Sequence, residues 1–167
     1  MLTKHYLTVS KQLLLVFAIC VFLVACDKDA DDAKITEVEV IVPILSDDNI
    51  KEFTIGMAKN YNANLDSLMA EFYSAQKADN EYQFVNFRNY TWTPNYIKQK
   101  DFYQKVLENN ASYLSRSPSR PLFDKFEQLI YIGIDLKNAL LDKDEAKLQE
   151  HLVAINKDKD TVNSLTK

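Results

Sequence analysis

Few residues in this chain can do chemistry, and their spacing narrows the choice further. Two cysteines, Cys20 and Cys26, and two histidines, His5 and His151, are all that thiol or imidazole chemistry can draw on. Cys26 stands directly behind Leu23-Val24-Ala25, closing an apolar run from Leu13 to Val24 that follows the basic residues Lys4 and Lys11. A membrane-spanning helix needs about 20 apolar residues, so this shorter run, ending in small residues, reads as an export signal. With only two glycines, Gly56 and Gly133, the chain cannot build a Gly-rich phosphate loop. It has no Cys-x-x-Cys-His haem attachment and no His-Glu-x-x-His zinc motif. Di-iron bundles need two Glu-x-x-His pairs and a Ser-His-Asp triad needs its own histidine. Any catalysis would fall to carboxylates alone, and the chain is expected not to be an enzyme.

The run Leu23-Val24-Ala25-Cys26 resembles the lipobox of bacterial lipoproteins. The resemblance implies cleavage before Cys26, with palmitate-type acylation of its thiol and of the new amino group. Residues 1–25 would then be a lipoprotein signal peptide. Cys20 and His5 would leave with it, Cys26 would be consumed by lipid, and no disulfide would be possible. The whole chain carries −4, and residues 1–25 hold two lysines and no acid, so the remainder is more acidic still. That balance speaks against nucleic acid and against a basic membrane-binding face. Attachment would rest on lipid: each buried methylene contributes about 0.8 kcal/mol, so two or three acyl chains hold stably.

Behind Cys26 lies Asp27-Lys28-Asp29-Ala30-Asp31-Asp32, too charged to collapse and read as a solvated tether. The segment is similar to the Lys- and acid-rich signals with which some non-enteric Gram-negative bacteria send lipoproteins to the outer surface. In enteric bacteria, an Asp directly after the cysteine resembles an inner-membrane retention signal. The stacked acids favour the outer membrane, with the face of that membrane left open.

The remaining residues spell helices. Ile50, Phe53, Met57, Tyr61, Leu65, Leu68, Met69 and Phe72 recur at steps of three and four, which predicts a helix over 47–78 capped by Ser46-Asp47-Asp48. Thr93-Pro94 predicts a second start, a cap followed by proline at the first helical position, with the helix ending before Pro118. It would carry Ile97, Tyr103, Val106, Leu107, Ala111 and Leu114. A third helix is expected from Ser119 or Arg120, with Leu122, Phe126, Leu129, Ile130, Gly133, Leu136 and Leu140 on one stripe. After an Asp142-Lys143-Asp144 turn, a fourth holds Leu148, Leu152, Ile155, Val162 and Leu165 and frays at its charged end. Residues 35–45 read as strand or helix, with an extended stretch along the bundle preferred. The expected fold is therefore all-α, an up-and-down antiparallel four-helix bundle over 47–167. Before it, residues 26–46 hold the lipidated cysteine, the acidic tether and the extended segment.

Two constellations remain as binding candidates. The connection 79–93, long for a bundle, gathers Tyr82, Phe84, Phe87, Tyr90 and Trp92 around Arg88. Exposed, such a set would grip a partner or stack on sugars; folded inward, it would be a lid over the bundle's open end. Met69 on the first helix and His151 on the last resemble the axial ligands of b-type cytochrome bundles, which would imply haem; the plainer and preferred reading is a core methionine and a flanking surface histidine. Arg116 and Arg120, bracketing Pro118, are read as a solvated turn. The leading expectation is a membrane-anchored lipoprotein, without cofactor, serving as a binding or accessory module with a protein partner in the envelope. The alternative is a bundle that binds a small molecule or b-type haem.

Overall fold

A computed structural model describes residues 41–167, and these are all-α. The export signal, Cys26, the acidic tether and residues 35–40 lie outside the described residues. Helix α1, Ile50–Lys77, buries Met57, Tyr61, Leu65, Leu68 and Phe72 along the expected stripe. Its start differs from the expectation. The residue before it is Asn49, not one of Ser46-Asp47-Asp48, and it makes no side-chain cap bond to the helix. Its amide is spent on the approach instead, accepting from the Ser46 N–H at 2.9 Å and donating to the Ile44 carbonyl at 2.9 Å. The helix ends where Asp79 turns left-handed at φ 48°. There the Asp79 and Asn80 N–H groups donate back to Gln76 and Ala75, a paired closure of orphan carbonyls usually built on glycine.

The aromatic connection 79–93 is not a loop. Helix α2, Glu81–Phe87, passes through a π-helical turn, Arg88–Trp92, into α3, Thr93–Asn109, as one continuous rod. The junction residues Arg88 and Thr93 both keep right-handed helical dihedrals. The true N-cap is Asn80, whose side chain accepts from the Gln83 N–H. Pro94 lies inside this rod rather than opening it. A proline within a helix offers no N–H and crowds the carbonyl one turn back. The turn before it absorbs the insult by widening, and the Thr93 N–H donates to the Arg88 carbonyl five residues back. The rod breaks at Asn110 (φ −117°, ψ 20°) rather than just before Pro118, and a single turn, α4, Ala111–Leu114, follows.

Helix α5, Arg120–Asp142, begins where Ser119 and Pro121 place it. Helix α6, Glu145–Ser164, is capped by Asp144, whose side chain accepts from the Lys147 N–H at 3.0 Å. Its C-terminal half, expected to fray, is held by its charges. Lys159 meets Asp66 of α1 and Asp158 meets Lys125 of α5, each at 2.7 Å, and Val162 is fully buried.

The helices pack as a bundle in which α1 runs antiparallel to α3, and α5 to α6. Asn60 and Asn64 of α1 meet Tyr103 and Gln99 of α3, and Lys125 and Asp135 of α5 meet Asp158 and His151 of α6. An aromatic column crosses the core: Trp92 stacks on Tyr96 at 4.9 Å, and Tyr96 stacks on Phe126 at 5.9 Å. Tyr96 is fully buried with its hydroxyl donating to the Glu127 carbonyl, whereas the expected core residue Ile97 is 37% exposed. The spacing explains the exchange. Tyr96 precedes Tyr103 by two full turns, and Ile97 misses that register by a residue.

Residues 41–46 carry neither helix nor strand and lie on the bundle, with Leu45 buried and Val42 packed against the core. Buried Asn110 fastens them: its carbonyl oxygen accepts from the Leu45 N–H at 2.7 Å, and its amide donates to the Pro43 and Val106 carbonyls. Among the described residues no helix is long and apolar enough to cross a membrane.

Candidate functional site

The α2–π–α3 rod splits the expected aromatic set in two. Phe84 and Trp92 are buried, and Phe87 packs against the core from its edge. Tyr82 and Tyr90 face solvent, 72% and 79% exposed. A helix can do this where a loop folded over the bundle end would not, because its turns sort neighbouring residues to opposite faces. Arg88 lies between the two sets. Its Nη1 donates to the Asn89 side-chain Oδ1 at 2.8 Å, while its Nε is buried with no hydrogen-bond partner. Burial pulls the guanidinium below its ordinary pKa. Gly133 of α5 makes room for it: a Cβ there would sit 3.2 Å from Arg88 Nε and 3.5 Å from the Trp92 ring. The glycine thus marks a close approach, of a side chain from the rod onto α5.

Trp92 also ties the rod to α1. Its Nε1 donates to the Asn64 carbonyl at 2.9 Å. The Asn64 side chain, itself buried, donates to the Asn60 carbonyl at 2.8 Å and to Gln99 Oε1 at 3.0 Å. Asn60 in turn donates to the Tyr103 hydroxyl at 2.7 Å. Burial raises the pKa of that hydroxyl, and the bond from Asn60 works against the rise. An amide ladder therefore runs along the seam between α1 and α3, opening beside the π turn into a cleft of about 230 Å³. The ladder is not legible from the sequence alone. Its signal is two amide pairs at one-turn spacing, Asn60/Asn64 and Asn95/Gln99, meaningful only once the two helices are known to face each other.

The haem candidates are not brought level. Met69 is partly buried against the core. His151 is largely covered, its Nδ1 3.9 Å from Asp135 Oδ2 and its Nε2 buried without a partner. Asn62 pairs with Asn163 and Asp66 with Lys159, so α1 and α6 run in an antiparallel register that sets His151 opposite the turn beyond Met69, about 7 Å further along the axis. Neither residue lines a described cavity. Among the described residues, no group of three or more His, Cys, Asp or Glu side chains gathers as a metal site.

At the other end of the bundle a wider cleft of about 680 Å³ lies among Asp47, Lys51, Arg116 and Lys167. Tyr113 closes one side, its hydroxyl donating to Asp47 at 2.8 Å. Arg120, expected to be solvated beside Arg116, pairs with Asp124 one turn along its own helix. No family model matches the chain, and no curated protein or solved structure matches it either.

Proposed function

We propose that this chain is a lipid-anchored, non-enzymatic accessory module of the bacterial cell envelope, held on the outer membrane by acylated Cys26. The observation that carries the reading is Cys26 itself, set directly behind Leu23-Val24-Ala25 and an apolar run too short to span a bilayer. The distribution of exposed rings supports the second half of it. Helix α1 is about 42 Å long at 1.5 Å per residue, and Tyr82 stands at the end where α1 finishes, remote from the entry of the chain at residue 41. A tether joining at the entry would meet the bundle at the end opposite Tyr82. Two tyrosines on one rod suit partner capture, since their rings add contact area at low entropic cost.

Two measurements test the reading. Metabolic labelling with an alkynyl fatty acid is expected to tag the protein, and Cys26→Ser is expected to lose both the tag and membrane retention. An untagged protein refutes the anchor. Native mass spectrometry of the lipidated protein from its own membranes is expected to carry a stoichiometric protein partner. That partner should be lost in Tyr82→Ala/Tyr90→Ala while helical circular dichroism is unchanged. Retention of the partner by the double variant refutes the tyrosine face.

A further inference from the structure

The cleft beside the π turn differs from every other cavity described in the molecule: nothing charged lines it. In a chain that is 26% charged, the other described cavities each contain Lys, Arg, Asp or Glu. This one is walled by four amides, Asn60, Asn64, Asn95 and Gln99, and by the hydroxyls of Ser67 and Thr91. Ala63, Phe87 and Trp92 supply its apolar side. An amide presents two donors and a two-lone-pair acceptor, and a hydroxyl presents both senses. The lining is therefore a dense set of neutral donors and acceptors held on adjacent turns of two packed helices.

Part of that capacity is committed and part is open. Asn64 spends its amide protons on the Asn60 backbone carbonyl and on Gln99 Oε1, which leaves its side-chain Oδ1 to accept. Gln99 Nε2 reaches its intrahelical carbonyl only at 3.5 Å, at the limit of a hydrogen bond. No described residue accepts from or donates to the Asn95 amide or the Ser67 and Thr91 hydroxyls. The π turn, a feature that recurs at functional sites, carries Thr91 and Trp92 to this seam.

We infer that this cleft binds a single neutral saccharide ring. Such a ring offers hydroxyls that donate and accept around its rim and C–H groups for the apolar part of the lining. An anionic sugar is excluded by the same lining, since a carboxylate entering it meets no cation to offset its desolvation. At about 230 Å³ the cleft lies below the roughly 300 Å³ at which drug-sized sites begin, so it takes one residue of a glycan, not a chain. The inference deepens the binding-module reading and rests on it only for where a glycan would be met.

Trp92, the only tryptophan, reports on the cleft directly. The experiment titrates the full-length lipidated protein, in a non-glycosidic detergent, with glucose, galactose, N-acetylglucosamine and glucuronate while following Trp92 emission. At least one neutral sugar is expected to shift the emission saturably, and glucuronate to bind at least tenfold more weakly. Asn95→Ala and Ser67→Ala, both at exposed positions, are each expected to weaken the neutral sugar about fivefold, the worth of one neutral hydrogen bond. Cys26→Ser and Tyr82→Ala/Tyr90→Ala are expected to bind it as the parent does. No saturable shift with any neutral sugar overturns the inference, as does equal binding of glucuronate or parent-like affinity in both Asn95→Ala and Ser67→Ala. Sugar binding that persists in a protein found to be unlipidated and partnerless would remove the envelope reading and leave the saccharide site standing.

Discussion

Two segments of this chain carry the same punctuation, a hydroxyl residue and a proline, and the fold reads it in opposite ways. At Ser119-Arg120-Pro121 the proline sits in the first turn of α5, where its missing N–H costs nothing. At Thr93-Pro94 it sits inside a rod that has already run from Glu81. The difference lies upstream. Before Pro121 come Ser115, Ser117 and Pro118, none of them a large apolar side chain that a continued helix would bury. Before Pro94 come Phe84 and Trp92, both buried, Phe84 edge-on to Phe72 of α1 and Trp92 between Asn64 of α1 and Gly133 of α5, and a helix delivers both to that core. Core burial of two aromatics, about 1.5–3 kcal/mol or more apiece, outweighs a proline defect that the π turn has already softened. Local start signals are thus weak priors that tertiary packing overrides.

The strongest way to break this comparison is to remove the ring that commits the upstream chain. Trp92 stacks on Tyr96, bonds the Asn64 carbonyl and touches the Gly133 site. Trp92→Ala is expected to destabilise the protein by about 3–5 kcal/mol, the usual cost of deleting a large buried ring. Urea unfolding followed by circular dichroism measures it. A loss below about 1 kcal/mol would mean that the ring does not hold the rod in place. Truncating the matching exposed ring, Tyr90→Ala, is a change at a solvated position and should stay within about 0.5 kcal/mol.

The same contrast explains what could and could not be read beforehand. Helix α5 was legible because its stripe from Leu122 to Leu140 keeps a regular period and buries almost every member. Helix α1 was legible for the same reason, apart from its cap. The rod was not, because a π turn inserts a residue into the period. The stripe over 81–92 therefore does not join the one read from Thr93; beyond the turn Tyr103 and Val106 keep the expected register, and Tyr96, two turns before Tyr103, belongs to it where Ile97 does not. Of the aromatic candidates, Tyr82 and Tyr90 are exposed, while Phe84, Phe87 and Trp92 belong to the core or its edge. The amide cleft was invisible, since Asn60, Asn64, Asn95 and Gln99 look like solvated polar positions until two helices face each other. Asn110 escaped for a related reason, its partners at residues 43 and 45 lying far back in the chain.

A sharper version of the comparison exchanges each proline for alanine. Pro94→Ala is expected to stabilise the protein by about 1–2 kcal/mol. It restores an N–H and a good helix former inside the rod, and it falls short of the full proline penalty of about 3 kcal/mol because the π turn has relieved part of it. Pro121→Ala is expected to cost about 0.5 kcal/mol or less, through the lost stiffness of the unfolded chain. Opposite signs in chemical denaturation support the assignment of one proline to a helix interior and the other to a helix start. A destabilising Pro94→Ala would return Thr93-Pro94 to the role of a start.

The smallest expected effects decide the same point one residue to either side. If the rod starts at Asn80, the side chain there accepts from the Gln83 N–H as a cap, and Asn80→Ala should cost about 0.5–1 kcal/mol. Thr93 would then be no cap at all, and its hydroxyl oxygen is indeed buried with no partner. A hydroxyl in that position carries a desolvation penalty without return, so Thr93→Val, which keeps the shape, should be neutral or stabilising by up to about 1 kcal/mol. A start at Thr93 predicts the reverse: Thr93→Val would then lose a cap worth about 1 kcal/mol, and Asn80→Ala would alter only a solvated turn. Because both substitutions are confined to one side chain, and neither touches the Pro94 ring, their signs separate the two readings even where the π turn itself relaxes.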